Sequence, residues 1–240
     1  MPYQIDICIP TLNEEKYIGR TLLALSQQTL YKRGLVQIII GDYAPEGKPN
    51  KFEIDDIVSR FEYVKKISVF KKGIGYARNV TINNGISPYV VNFDADCRYN
   101  RIDALELLLK PLLVRLEDGS PETLMTNCDI VLDDAEKKNA QTDTFEDKLF
   151  TVASLFYRMF PISMGPCLMF SREAFSLIGG FRELPQNVPG EDWEFVFRFC
   201  QNFSIRAKKW VNDVVVIASN RRHKNLLKDP FTLDYSRQFR

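Results

Sequence analysis

Apolar residues recur along this chain with two alternating periods. The run QIDICIP, residues 4–10, is short and nearly continuous, as in a strand buried on both faces. It leads into NEEKYIGRTLLALSQQ, where Ile18, Leu22 and Leu25 fall on one stripe of a 3.6-residue helix. Asn13 is placed to cap that helix, with Glu14 and Glu15 in its first turn, where carboxylates suit the helix dipole. A second strand is predicted over Val36–Ile40, followed by the loop GDYAPEGKPN and a helix marked by Ile54, Ile57, Val58 and Phe61. KISVF reads as a third strand, GYARNVTINNG as a helix that Gly85 can end, and YVVNF as a fourth strand. Strand and helix alternating in this way predict a parallel sheet wound on both faces over about the first 100 residues.

The second part is mixed. ALELLLKPLLVRL is an apolar helix that Pro111 should kink, TLMTNCDIVL a strand, and TFEDKLFTVASLFYRMF another helix. A further strand at CLMF runs into a short helix closed by Gly179-Gly180, and a loop with Pro185, Pro189 and Gly190 precedes a helix opened by EDWEFVFRF. The expected organisation is an α/β half over residues 1–100, a mixed half over 101–219 and a basic tail over 220–240.

Composition narrows the functional classes. A chain of 240 residues, 45% hydrophobic, can bury a substantial core. Its 32 Lys and Arg against 31 Asp and Glu leave a net charge of +1, which offers no electrostatic footprint for nucleic acid. Five scattered cysteines without a Cys-x-x-Cys pair indicate neither a disulfide framework nor a zinc knuckle. No basic segment followed by an apolar core stands at the N-terminus, and no run approaches a membrane span, so a cytoplasmic protein is expected. The aromatic stretch Leu149–Phe160 is the candidate for peripheral contact with a membrane or a lipid acceptor.

In wound parallel sheets, ligands bind at the carboxyl ends of the strands. That rule gathers Pro10, Thr11 and Asn13 after the first strand, Asp42 after the second, Gly73 and Arg78 after the third, and Asp94 and Asp96 after the fourth. Two carboxylates one residue apart at such a rim suit ligand hydroxyls or a hard cation, although Asp-x-Asp alone is short enough to arise by chance. Glu191 and Asp192 at a helix start, taken alone, are first a complement to the dipole and second a candidate for chemistry.

Six blocks in order carry a resemblance: IDICIPTLNEEKYI, IIIGDYAPEG, GIGYARNVTINNG, VVNFDADCRYN, SREAFSLIGGFRE and EDWEFVFR. Together they resemble glycosyltransferase family 2, an inverting family of nucleotide-sugar transferases, over about Ile5 to Ser219. The resemblance implies a single-domain GT-A fold, a Rossmann-like mixed sheet flanked by helices. It implies a nucleotide-sugar donor held by the first half, UDP ahead of GDP, and a saccharide, lipid-linked or protein acceptor held by the second. Pro10, Thr11, Asn13, Asp42, Arg78 and Asp94 would bind the nucleotide sugar. Asp96, with Asp94, would hold Mg2+ or Mn2+, and His223, the single histidine, would complete the metal shell while Arg221 and Arg222 close on the diphosphate. Gly180, Phe181 and Trp193 would shape the acceptor side, and Asp192, ahead of its neighbour Glu191, would be the general base.

Gly41 stands where the family often has a first acid before Asp42, which loosens the assignment of the base. A non-catalytic nucleotide-sugar binder or scaffold with the same fold is the alternative. A dinucleotide-binding dehydrogenase is disfavoured because the third glycine of its fingerprint falls on Arg78, and a nucleotidyltransferase because PTLNEEKY puts acids where a triphosphate needs glycines and cations.

Overall fold

The protein is described from a computed structural model covering residues 3–45, 54–133, 163–184 and 190–219. The strands are β1 (Ile5–Thr11), β2 (Val36–Tyr43), β3 (Val64–Val69), β4 (Tyr89–Asn92), β5 (Cys97–Tyr99), β6 (Met125–Leu132), β7 (Leu168–Ser171) and β8 (Lys208–Ala218). They form one sheet in the order β3-β2-β1-β4-β7-β6-β8-β5. β1 to β4 run parallel, as the alternation predicts. β7 is antiparallel to both β4 and β6, β8 is parallel to β6, and β5 is antiparallel to β8. The carboxyl ends of β1 to β4, β6 and β8 therefore share one rim with the amino ends of β5 and β7.

Helices α1 (Ile18–Ser26), α2 (Thr29–Lys32), α3 (Asp55–Val58) and α5 (Ala104–Leu109) cover one face. There Ile18, Leu22 and Leu25 pack on Ile5, Ile7, Ile9, Ile38 and Ile40, alternate residues of the two strands. Helices α4 (Ile74–Asn83), α6 (Arg172–Leu177) and α7 (Glu191–Phe203) cover the other, where Ile82, Phe175, Phe195 and Phe199 meet Cys8, Val90 and Phe170.

Several local expectations are corrected. Helix α1 begins only at Ile18, so Glu14 and Glu15 precede it and Asn13 does not cap it. Asn13 instead takes φ 57°, a left-handed turn that asparagine tolerates, where the chain leaves β1. The helix expected around Ile54 and Phe61 is a single turn, α3. Past Lys110 the chain tightens into a 3-10 turn over Lys110–Leu113, because Pro111 has no N–H for a continued α-helix. Gly85 ends no helix by a left-handed turn. It leaves room for the buried Asp6 carboxylate, which would lie 2.1 Å from a Cβ there and which pairs with Arg172 at 2.6 Å. Strand β5, three residues with Arg98 at its centre, was too short to leave an apolar pattern.

The aromatic stretch 149–160, Pro185, Pro189 and the tail bearing Arg221, Arg222 and His223 lie outside the described residues. Among those described, no helix is long and apolar enough to cross a membrane.

Candidate active site

The register of β1 against β2 sets Pro10 beside Gly41 and Thr11 beside Asp42 at the shared rim. Thr11 Oγ1 donates to Asp42 Oδ1 at 2.9 Å, fixing that carboxylate where the two strands end. The missing first acid has a steric cause: a Cβ on Gly41 would fall 2.1 Å from Thr81 Oγ1, because α4 packs directly on β2. Asn13 lies exposed on the turn after β1. Beside the end of β3, a cleft of about 290 Å3 opens among Lys71, Lys72, Gly73, Tyr76 and Glu183.

Past β4 the chain turns through Asp94-Ala95-Asp96 into β5. Thr21, buried in α1, donates from Oγ1 to the Ala95 carbonyl at 2.7 Å and pins the middle of the turn. One carboxylate oxygen from Asp94, one from Asp96 and the Cys97 sulfur lie within 4.8 Å of one another. Two hard carboxylates at the rim fit a divalent cation such as Mg2+ or Mn2+, and the thiol adds a softer donor that the sequence patterns did not single out.

Arg78 is drawn into the interior at the rim. It is buried, and its Nη2 stands 3.5 Å from Asp94 Oδ1 and 3.2 Å from Glu191 Oε1, so one nitrogen joins the two acidic motifs. Burial works against its charge, but the carboxylates of Asp94, Glu191 and Asp192 outweigh it and raise its pKa further. The guanidinium lies over the Phe181 ring, 5.6 Å from the centroid. Phe181 is itself buried, stacked on Phe195 at 4.2 Å, and Asn79 brackets its backbone with bonds of 2.7 and 2.8 Å. Gly179 and Gly180 close α6 with φ 77° and 71°. Phe181 thus supports Arg78 from the core, whereas Trp193 is 45% exposed.

Glu191 and Asp192 open α7 after Gly190, whose φ of 103° suits only glycine. Asp192 Oδ2 accepts from the Gly165 amide at 2.7 Å and Oδ1 from the Trp193 amide at 2.9 Å. Its carboxyl is nevertheless pushed up to about 7, first by burial and then by the Glu191 charge, against the opposing pull of Arg78 and the two amides. Gly165 lies in the turn before β7, at the rim because β7 runs against its neighbours. A Cβ on it would stand 2.7 Å from Arg78 Nη2, so glycine lets the guanidinium close. Its role is not legible in the sequence, since a backbone amide leaves no trace in a side-chain pattern.

The geometry joins Thr11 with Asp42, and Asp94 with Arg78, Glu191 and Asp192. Comparison with known proteins agrees with this arrangement at the level of fold. No curated protein matches the sequence significantly. Among solved structures, a Pyrobaculum calidifontis mannosyltransferase, PcManGT, in complex with GDP-Man and Mn2+, superposes with a TM-score of 0.62 at 19% identity, over 90% of this chain and 57% of that one. S. aureus TarS 1–349 in complex with UDP-GlcNAc gives 0.60 at 15% identity over 91% and 59%. GalNAc-T7 with UDP, GalNAc and Mn2+ gives 0.65 at 15% over 91% and 44%. This chain therefore spans only 44% to 59% of those chains. At such identities the likeness carries the GT-A fold and not the substrate. The sequence profile of Glycosyl transferase family 2 matches residues 6–179, from the second residue of β1 through the end of α6. With the GT-A fold and that match over most of its length, the chain belongs to glycosyltransferase family 2.

Proposed function

We propose that the protein transfers a sugar from a nucleoside diphosphate to an acceptor hydroxyl with inversion, with Asp192 as general base and a divalent cation at Asp94 and Asp96. The observation that carries this reading is Asp192 itself. A carboxyl pushed up to about 7 and aimed by the Gly165 amide is tuned to accept a proton near neutral pH.

Residues 1–100 serve the donor. Asp42, oriented by Thr11, accepts from the base, as a carboxylate can from a uracil N–H. Pro10 and Asn13 line the same end of β1. UDP is preferred to GDP, and TarS with UDP-GlcNAc and the mannosyltransferase with GDP-Man are fold relatives on either side of that choice. Bound at Asp94 and Asp96, Mg2+ or Mn2+ would neutralise the charge developing on the departing diphosphate.

Residues 101–219 serve the acceptor, a saccharide, a lipid-linked sugar or a protein. Its hydroxyl gives its proton to Asp192 as its oxygen bonds to the anomeric carbon. The bond from that carbon to the diphosphate oxygen breaks on the opposite side, which inverts the centre. Glu191 is engaged by Arg78, so its part is to raise the proton affinity of Asp192. Trp193 offers an apolar ring face to a sugar, and Gly180 and Phe181 act from behind by holding Arg78.

Two measurements test this. Calorimetric titration of UDP and GDP, with and without Mn2+, should give metal-dependent binding of one nucleotide that is lost in Asp96→Ala. Turnover of the matching sugar nucleotides should fall by about 10^2- to 10^4-fold in Asp192→Asn, and NMR of the product should show inversion. Nucleotide binding without turnover would instead favour the non-catalytic alternative.

A further inference from the structure

We propose that Asn92 and Asn127 are positioning residues that aim Asp192 through the strap Ser163–Cys167; this rests on Asp192 being the base. Asn92 ends β4 and Asn127 lies in β6, and both pair with Leu168, the first residue of β7, from opposite sides. The two amides thus flank the point where the strap enters the sheet. Asn92 Nδ2 donates to the Gly165 carbonyl at 2.9 Å, and Asn127 Nδ2 donates to Ser163 Oγ at 3.2 Å.

The strap passes this restraint on. Gly165 accepts from Asn92 through its carbonyl and donates to Asp192 Oδ2 through its amide at 2.7 Å. Those bonds lie on either side of one Cα, so together they fix its backbone torsions. Pro166 follows, with its own φ locked by the ring. Arg78 closes on the same Cα. The orientation of Asp192 is therefore referred to β4 and β6 across the first turn of α7.

Each amide is only half satisfied where it stands. Both asparagines are fully buried, yet Oδ1 of each has no partner among the described residues. A leucine of similar volume would remove the orphaned Oδ1 but would leave the buried Gly165 carbonyl or Ser163 hydroxyl without its donor, so the two effects on stability oppose one another. What leucine cannot supply is the donor that holds the strap.

Asn92→Leu and Asn127→Leu discriminate the two roles. Positioning predicts folded proteins with melting temperatures close to that of the wild type, unchanged nucleotide affinity by calorimetry and unchanged KM for the donor. It predicts kcat lower by roughly 10- to 100-fold, since a base displaced by about 1 Å loses that much. The pKa of Asp192, followed directly by 13C NMR of its carboxyl, should rise as the Gly165 bond weakens, with Glu191, Arg78 and the Trp193 amide still facing it. That readout needs no turnover, so an inactive wild type would refute the catalytic reading while the positioning is still measured. Folded variants with wild-type kcat and an unmoved Asp192 would overturn the proposal. So would variants that fail to fold, because the amides would then be needed for the fold itself.

Discussion

The amide of Gly165 donates to the carboxylate of Asp192 at 2.7 Å, across 27 residues of chain. That bond ties the turn before an antiparallel strand to the first turn of a helix, and it ties Asp192 to the rim where Asp94 and Asp96 stand.

The rate should carry the signature of Asp192. A base must be ionised, and burial beside Glu191 pushes this carboxyl up to about 7. Log kcat is therefore expected to rise with unit slope below about pH 7 and to level off above it. A pH profile of the wild type against Asp192→Asn checks this, the variant being slow and lacking that limb.

Stability should run the opposite way. The folded pKa of Asp192 lies above its unfolded value of 3.8, so between about pH 4 and pH 7 the folded chain keeps a proton that the unfolded chain has released. The contribution favouring the fold is present below pH 4 and is lost as pH rises through 7. Asp192→Asn, which does not ionise, should melt on the order of 10 °C above the wild type at pH 8 and level with it at pH 4, as calorimetry would show.

Gly165→Ala should be costly although its backbone is unstrained. The added methyl meets the guanidinium of Arg78 at 2.7 to 2.8 Å, and the guanidinium has Phe181 behind it. A loss of about 1–3 kcal/mol is expected by denaturant unfolding, with kcat reduced because Arg78 and Asp192 both shift.

Arg78→Met should leave Asp94 and Glu191 without their shared cation. Removing one partner from a buried ionic cluster costs about 3 kcal/mol. Arg78 also holds the Asp192 pKa down, so the limb of the rate profile should move above pH 7 in this variant, in the same measurement.

Much of the rim could be read from sequence because the two periods place strand ends, and the strand ends place Thr11, Asp42, Asp94 and Asp96. Arg78 follows β3 as the alternation predicts, but its burial depends on Phe181, Gly165 and Glu191, which are distant in the chain. Asn13 reads as a cap because cap preference and tolerance of a left-handed turn belong to the same residue. Gly165 acts through its amide and through a missing Cβ, and Asn92 reads as one more residue of an apolar strand. Such roles exist only once β7 has been laid between β4 and β6.

Thr21 contributes nothing to the rim itself, yet its hydroxyl holds the Ala95 carbonyl between the two aspartates. The turn is thus anchored to a helix packed against the core on the far side from α7. Ordering a loose turn on binding would cost about 1–2 kcal/mol per residue in lost freedom. Here that entropy is surrendered when the chain folds, so it no longer subtracts from the affinity of Asp94 and Asp96 for whatever charge arrives between them.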